Sequence, residues 1–222
     1  MQFDLFDQDL NRILEAADYA AFKKLLQRYN CTACELHKHR HQIVVDRGNP
    51  AAAVMVISER PGENEDRTGQ AFVGRSGEML DRIFASIGLD SNRDMLICNV
   101  VKCMPVSTRE DMALEDRAPQ AEEVKACLPF LRKQISLMEP KVILLLGAVA
   151  LKHIARTGGE FTMEKEAGKF FTLPEYPRIQ FMVLYHPAFL LRDPRRKKEM
   201  WEHVKKLRDY LKKENIMSRN DK

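Results

Sequence analysis

Four stretches of this chain are strongly apolar, interrupted only by Asn99, Lys141 and Gln180: Ala52–Ile57, Met95–Val101, Lys141–Leu146 and Ile179–Tyr185. A strand with one wet face alternates apolar and polar residues, whereas a continuous run suits a parallel strand covered on both faces. Between these runs the spacing becomes helical. Ser76–Ile87 ends at Gly88, Ala121–Met138 ends before Pro140, and Ala148–Arg156 stops at Gly158-Gly159, all residues that favour helix termination. Arg195–Lys213 carries Trp201, Val204, Leu207 and Leu211 on one side and charges on the other. Residues 8–29 repeat Leu10, Ile13, Leu14, Ala17, Ala21, Leu25 and Leu26 at helical spacing, which predicts one amphipathic N-terminal helix. The alternation predicts an α/β fold, a three-layer α/β/α sandwich with a central four-stranded parallel sheet. Val106–Pro119 is polar and patternless and reads as an inserted loop. With no internal repeat, the chain is expected to form a single domain over residues 1–222.

Composition adds exclusions. A content of 45% hydrophobic and 31% charged residues describes an ordinary water-soluble protein. The net charge of +4 suits a polyanionic partner without demanding one. The longest apolar run, Val142–Leu151, falls well short of the ~20 residues that span a bilayer. The acidic start, Met1 to Asp7, lacks the basic and long apolar regions of a signal peptide. Five cysteines in a chain of this length do not make a secreted disulfide framework. A cytoplasmic, monomeric protein with no membrane partner is expected.

Four of those cysteines carry chemistry. Cys31 and Cys34 form a C-x-x-C pair, and Cys103 and Cys127 follow far downstream. Four thiolates complete the ligand set of either a zinc ion or an iron–sulfur cluster, and ligand type alone does not separate the two. Cys98 lies inside a predicted strand and reads as core. His37, His39 and His41 alternate near the C-x-x-C and are candidates for accessory metal binding. The basic runs His37–His41 and Arg195–Lys198 read first as solvated faces.

Two loops follow apolar runs, where open α/β sheets place their ligands. The first runs from Ser58-Glu59-Arg60-Pro61-Gly62-Glu63-Asn64-Glu65-Asp66 to Gln70-Ala71-Phe72-Val73-Gly74, and the second is Tyr185-His186-Pro187-Ala188-Phe189-Leu190-Leu191-Arg192. Pro61 and Gly62 turn the chain sharply, so backbone N–H groups can face a small ligand. Together with the cysteines, these loops resemble the family-4, iron–sulfur uracil-DNA glycosylases, with their G-E-x-P-G-x-x-E-D, P-F-V-G and H-P-A-x-L-L-R motifs. The resemblance covers roughly Cys31 to Leu211.

That resemblance implies an enzyme that flips uracil out of single- or double-stranded DNA and hydrolyses its N-glycosidic bond. It implies a structural [4Fe–4S] cluster on Cys31, Cys34, Cys103 and Cys127, with zinc as the alternative. Phe72 would stack on the flipped base, and Asn99, with one amide donor and one acceptor, would read its edge. His186 would donate to uracil O2 as charge grows on the leaving base. Gly62 and Arg60 would line the substrate, and Leu190, Leu191 or Arg192 would wedge into the base stack. The chain also departs from the family: Ser58 replaces Gly, Ala71 replaces Pro, and Arg60 stands where the family-1 enzymes carry their water-activating aspartate. A guanidinium is no general base, so that task falls to Glu59, to Glu65 or to the departing base. The interval from Cys103 to Cys127 exceeds the family's usual one by the Val106–Pro119 segment. Two other classes fit parts of the pattern: an iron–sulfur redox protein, and a damaged-DNA binder without catalysis.

Overall fold

A computed structural model describes residues 8–108, 114–155 and 161–217. Its helices and strands follow in the order α1 (Gln8–Leu14), α2 (Tyr19–Arg28), β1 (Arg47–Gly48), β2 (Val54–Ser58), α3 (Glu63–Thr68), α4 (Arg75–Ala85), β3 (Met95–Asn99), β4 (Val106–Thr108), β5 (Leu114–Asp116), α5 (Ala121–Met138), β6 (Val142–Leu146), α6 (Gly147–Ala155), α7 (Met163–Glu166), β7 (Phe170–Leu173), β8 (Tyr176–Leu184), α8 (Pro187–Arg192) and α9 (Lys197–Lys213).

The four apolar runs become β2, β3, β6 and β8, all parallel and adjacent in the order β3-β2-β6-β8. The sheet has six strands rather than four, because β1 and β7 add antiparallel edges. Both edges are short and only partly buried, so neither carries the continuous apolar signature of a central strand. Alternate side chains go to opposite faces. Val54, Val56, Leu144 and Met182 pack under Leu80 and Phe84 of α4 and Val204 and Leu207 of α9. Met55, Ile57, Ile143 and Phe181 pack under Leu131 and Ile135 of α5 and Leu151 of α6. Three layers result. The connections leave β2 toward β3 on one side and return to β6 on the other, so strand order reverses at the β2/β6 boundary. Open α/β sheets bind ligands at the carboxyl edge beside such a reversal.

Other expectations are corrected. The N-terminal helix over 8–29 is two helices: Asp18 caps α2 by accepting from the Ala21 N–H at 2.8 Å, which starts a new helix where the spacing implied continuity. Within the inserted segment, β4 and β5 pair as an antiparallel hairpin, while residues 109–113 lie outside the described residues. Arg156 and Gly158-Gly159, the expected end of α6, also lie outside them. Trp201 does not enter the core; it is exposed, with the Lys205 ammonium 5.8 Å from its ring centre, and Met200 is buried instead. Among the described residues no helix is long and apolar enough to cross a membrane.

Candidate active site

The carboxyl ends of the parallel strands meet around a cavity of about 950 Å³. Strand β2 delivers Glu59 and Arg60, β3 delivers Asn99, β6 delivers Leu146 and Gly147, and β8 delivers Tyr185 and His186; all line this one space with Phe72. Register enforces the convergence, since Ser58 pairs with Asn99 and Leu146 with Leu184.

His186 is fixed by two contacts. Its Nδ1 accepts from the Ala188 N–H at 3.1 Å, capping α8. A backbone amide can only donate, so Nδ1 holds the lone pair and the ring proton sits on Nε2. Gly147, at φ +85°, lies so close that a Cβ there would be 3.2 Å from the His186 Cβ. Burial, followed by the Arg60 and Arg192 charges, lowers the His186 pKa to about 4. The imidazole is therefore neutral at physiological pH, with an N–H to offer.

Phe72 occupies the left-handed region at φ 56°, a conformation that costs a side-chain-bearing residue roughly 1 kcal/mol or more. Its neighbours hold it there. Glu65 Oε1 accepts from the Val73 and Gly74 N–H groups at 2.8 and 2.9 Å, and Oε2 accepts from the Gly62 N–H at 3.0 Å. Gly77 is required as well, because a Cβ at that position would collide with the Phe72 carbonyl. The Phe72 ring ends 5.9 Å from the His186 ring at a 42° tilt.

Asn99 is 1% exposed, and neither its amide nitrogen nor its amide oxygen has a hydrogen-bond partner among the described residues. A buried polar group left unpaired costs roughly 1–3 kcal/mol, so a fully buried free amide facing a cavity points to a ligand. Its backbone is held firmly. The buried Lys102 ammonium donates to the Asn99 carbonyl at 2.8 Å and to Gln134 Oε1. The Gln134 amide in turn donates to the Tyr19 hydroxyl at 2.8 Å, and that hydroxyl donates to Asp46 at 2.8 Å. Helix α2 thus braces the strand that carries Asn99.

The structure separates the remaining candidates. Glu59 sits half-buried in the cavity wall; burial raises its carboxyl above the usual range, and the Arg60 charge partly opposes this. Glu65 also lines the cavity but has both oxygens engaged by backbone, and the Gly62 N–H expected to face a ligand is one of those it holds. Leu191 and Arg192 line the cavity, but Leu190 is 1% exposed and packs in the core, which removes it as a wedge into DNA. Arg75, Ser76, Gly147 and Asp116 also line the cavity and were not found from sequence. Gly147 had a signal, as the glycine closing the third apolar run; Asp116 had none.

The four cysteines gather away from this cavity, outside its lining. Cys34 lies within electrostatic reach of Cys31, Cys103 of Cys34 and Cys127, and Cys127 of Cys31. Burial pushes the Cys34, Cys103 and Cys127 thiols up, with Cys127 at about 12. Several donors aim at the sulfurs: the Leu36 N–H at Cys34, the Lys102 N–H at Cys127, and the Arg40 guanidinium at 4.0 Å from Cys103 Sγ. An all-sulfur set ringed by N–H donors and a cation fits the negative charge of a thiolate-bound metal group. Among the described residues, no three histidine, cysteine or carboxylate side chains close up as a set that would hold one metal ion. Cys98 is core, as expected. Of the nearby histidines, His37 contacts the Cys34 carbonyl at 2.8 Å and His41 pairs with buried Asp66.

Known proteins resemble this chain in sequence and in fold. A family profile described as the uracil DNA glycosylase superfamily matches residues 45–208. The type-4 uracil-DNA glycosylase of Sulfurisphaera tokodaii is 36% identical over 81% of this chain and 80% of its own length. The type-4 enzyme of Thermotoga maritima is 36% identical over 83% of this chain and 91% of its own. The crystal structure of wild-type SMUG2 from Pedobacter heparinus superposes with a TM-score of 0.52 at 13% identity, covering 75% of this chain and 77% of that one, a likeness of fold. Matched along most of its length by profile and relatives alike, the chain belongs to the uracil DNA glycosylase superfamily and, within it, to the type-4 enzymes.

Proposed function

We propose that this protein is a monofunctional glycosylase that flips uracil out of DNA, hydrolyses its N-glycosidic bond and so initiates base excision repair. The observation that carries this reading is the buried, unpartnered Asn99 amide in the lining of the cavity that also holds the neutral His186 and Phe72. Uracil presents an acceptor at O4 beside a donor at N3, and one amide satisfies both. Cytosine presents a donor beside an acceptor, so the orientation that fits uracil leaves two unpaired groups and is rejected.

As the bond from the sugar carbon to N1 breaks, its electron pair moves onto the base and spreads to O2. His186 Nε2–H donates there, and this interaction strengthens as charge develops. Glu59 is the carboxylate assigned to the attacking water, which adds to the sugar carbon and gives up a proton; a raised carboxyl pKa suits that acceptance. Glu65 is instead assigned to shaping the loop that presents Phe72.

The cysteines are assigned to a [4Fe–4S] cluster rather than zinc. The N–H donors and the Arg40 guanidinium around the sulfurs support a thiolate-bound cluster that carries net negative charge. When bound, the cluster supplies a structural tie between the Cys31–Cys34 turn, the end of the Asn99 strand segment and α5. Purified protein is expected to be brown and to contain iron and sulfide; colourless protein with stoichiometric zinc overturns the assignment. The enzymatic proposal is tested with a labelled uracil-containing oligonucleotide, single- and double-stranded, followed by alkaline cleavage of abasic sites. Strand scission at uracil and not at cytosine is expected, and an uncut strand refutes the reading.

A further inference from the structure

Two of this chain's departures from the family pattern are an arginine at position 60 and a longer interval between the third and fourth cysteines. The fold joins them. Arg60 Nη2 donates to Asp116 Oδ2 at 3.0 Å, and Nη1 donates to the Pro61 carbonyl at 3.0 Å. Asp116 ends β5, the second strand of the inserted hairpin, and lines the same cavity as Arg60. The base of that hairpin is anchored: Arg117 Nε donates to the Val106 carbonyl at 3.0 Å, and its guanidinium forms a forked pair with buried Glu123 of α5. Asp116 is therefore presented to Arg60 from a fixed stem. Its side chain is 50% exposed against 22% for Arg60, so water reaches the carboxylate more freely than the guanidinium.

Building on the uracil excision proposed above, we infer that Arg60 is a phosphate-binding residue for the target strand, and that Asp116 occupies the place of a phosphate until DNA arrives. A base that enters the cavity leaves its flanking phosphates at the rim. Arg60 lines the cavity next to Glu59 with its side chain 22% exposed, and Arg75 and Arg192 line it too. A guanidinium matches a phosphate with two parallel donors, whereas Asp116 engages it through one oxygen. A partly exposed ion pair is weak, so the exchange of anions is easy. The exchange also leaves a negative partner beside Arg60, which tempers its field at His186 and Glu59 during the reaction.

The test measures binding of the full chain to two matched oligonucleotides, one with a non-cleavable fluorinated deoxyuridine and one with thymidine, over a range of salt concentrations. Asp116→Asn is expected to bind the uracil analogue about two- to five-fold more tightly, the scale of one exposed ion pair. Arg60→Ala is expected to weaken binding to both strands and to lower the slope of log K against log salt by about one. In the Arg60→Ala background, Asp116→Asn should add no more than Glu115→Gln, a neighbouring charge removal that reports the general field alone. The inference is overturned if Asp116→Asn weakens binding as Arg60→Ala does, which makes the pair a strut, or if the salt slope is unchanged in Arg60→Ala. Loss of the uracil preference in the wild-type protein would instead count against the glycosylase reading, since the phosphate effect is read on both strands.

Discussion

Replacing His186 removes two things that can be measured apart. Its Nε2–H is the donor assigned to the leaving base, and its Nδ1 caps α8 through the Ala188 N–H at 3.1 Å. Loss of one donor aimed at a developing anion lowers rates by about 10²–10³, or roughly 3–4 kcal/mol of barrier. Loss of a cap costs about 1 kcal/mol of stability. His186→Ala should therefore show both effects. His186→Asn separates them: the asparagine oxygen falls near the position of Nδ1 and is a favoured N-cap, but its amide is too short to reach where Nε2 stood. His186→Asn is thus expected to melt close to wild type and still lose two to three orders of magnitude in single-turnover excision. Affinity for a non-cleavable uracil analogue should change far less, because the bond strengthens mainly in the transition state. The assay is rapid-quench excision at saturating enzyme, with thermal unfolding run alongside. A His186→Asn enzyme that excises within a few-fold of wild type refutes the assigned role.

Asn99→Asp should weaken uracil excision and admit cytosine, since a protonated carboxyl donates to cytosine N3 while its other oxygen accepts from the amino group; competition between uracil and cytosine strands measures the ratio. Glu59→Gln should reduce excision with little loss of stability. Glu65→Gln should cost about 1–3 kcal/mol in unfolding, because an amide N–H would then oppose one of the three backbone N–H groups that Glu65 accepts; the reverse pattern would exchange their roles. His186 should titrate near pH 4 by NMR, and Arg60→Ala should move the midpoint upward but keep it below 6.5, since burial is the larger cause. The sign for stability follows: the folded ring stays neutral while the unfolded chain takes up a proton, so this histidine's contribution is full above about pH 6.5 and lost as pH falls toward 4.

The sequence by itself determined the parallel core of the sheet, because a strand buried on both faces must be apolar throughout and Val142–Leu146 or Val54–Ile57 can be little else. It also marked α5 correctly from end to end, even though Pro129 lies inside it: the apolar period and the flanking signals outweighed one lost hydrogen bond. Chemistry-bearing residue types at strand ends, Asn99 and His186 among them, were legible for the same reason, since a parallel sheet gathers its carboxyl ends at one edge. What those side chains do with their atoms was decided only in three dimensions. Glu59 and Glu65 are identical in chemistry, six positions apart and both part of the cavity lining, yet Glu65 closes on three backbone amides while burial raises the Glu59 carboxyl. Leu190 and Leu191 are adjacent, and the turn of α8 buries the first and leaves the second at the cavity. The tautomer of His186 depends on one amide two residues on, and the burial of Lys102 depends on Gln134 and on the carbonyl of Asn99. The Arg60–Asp116 pair spans 56 positions in the chain. No local pattern encodes it, because an ion pair at that separation exists only once the sheet has brought its two loops together.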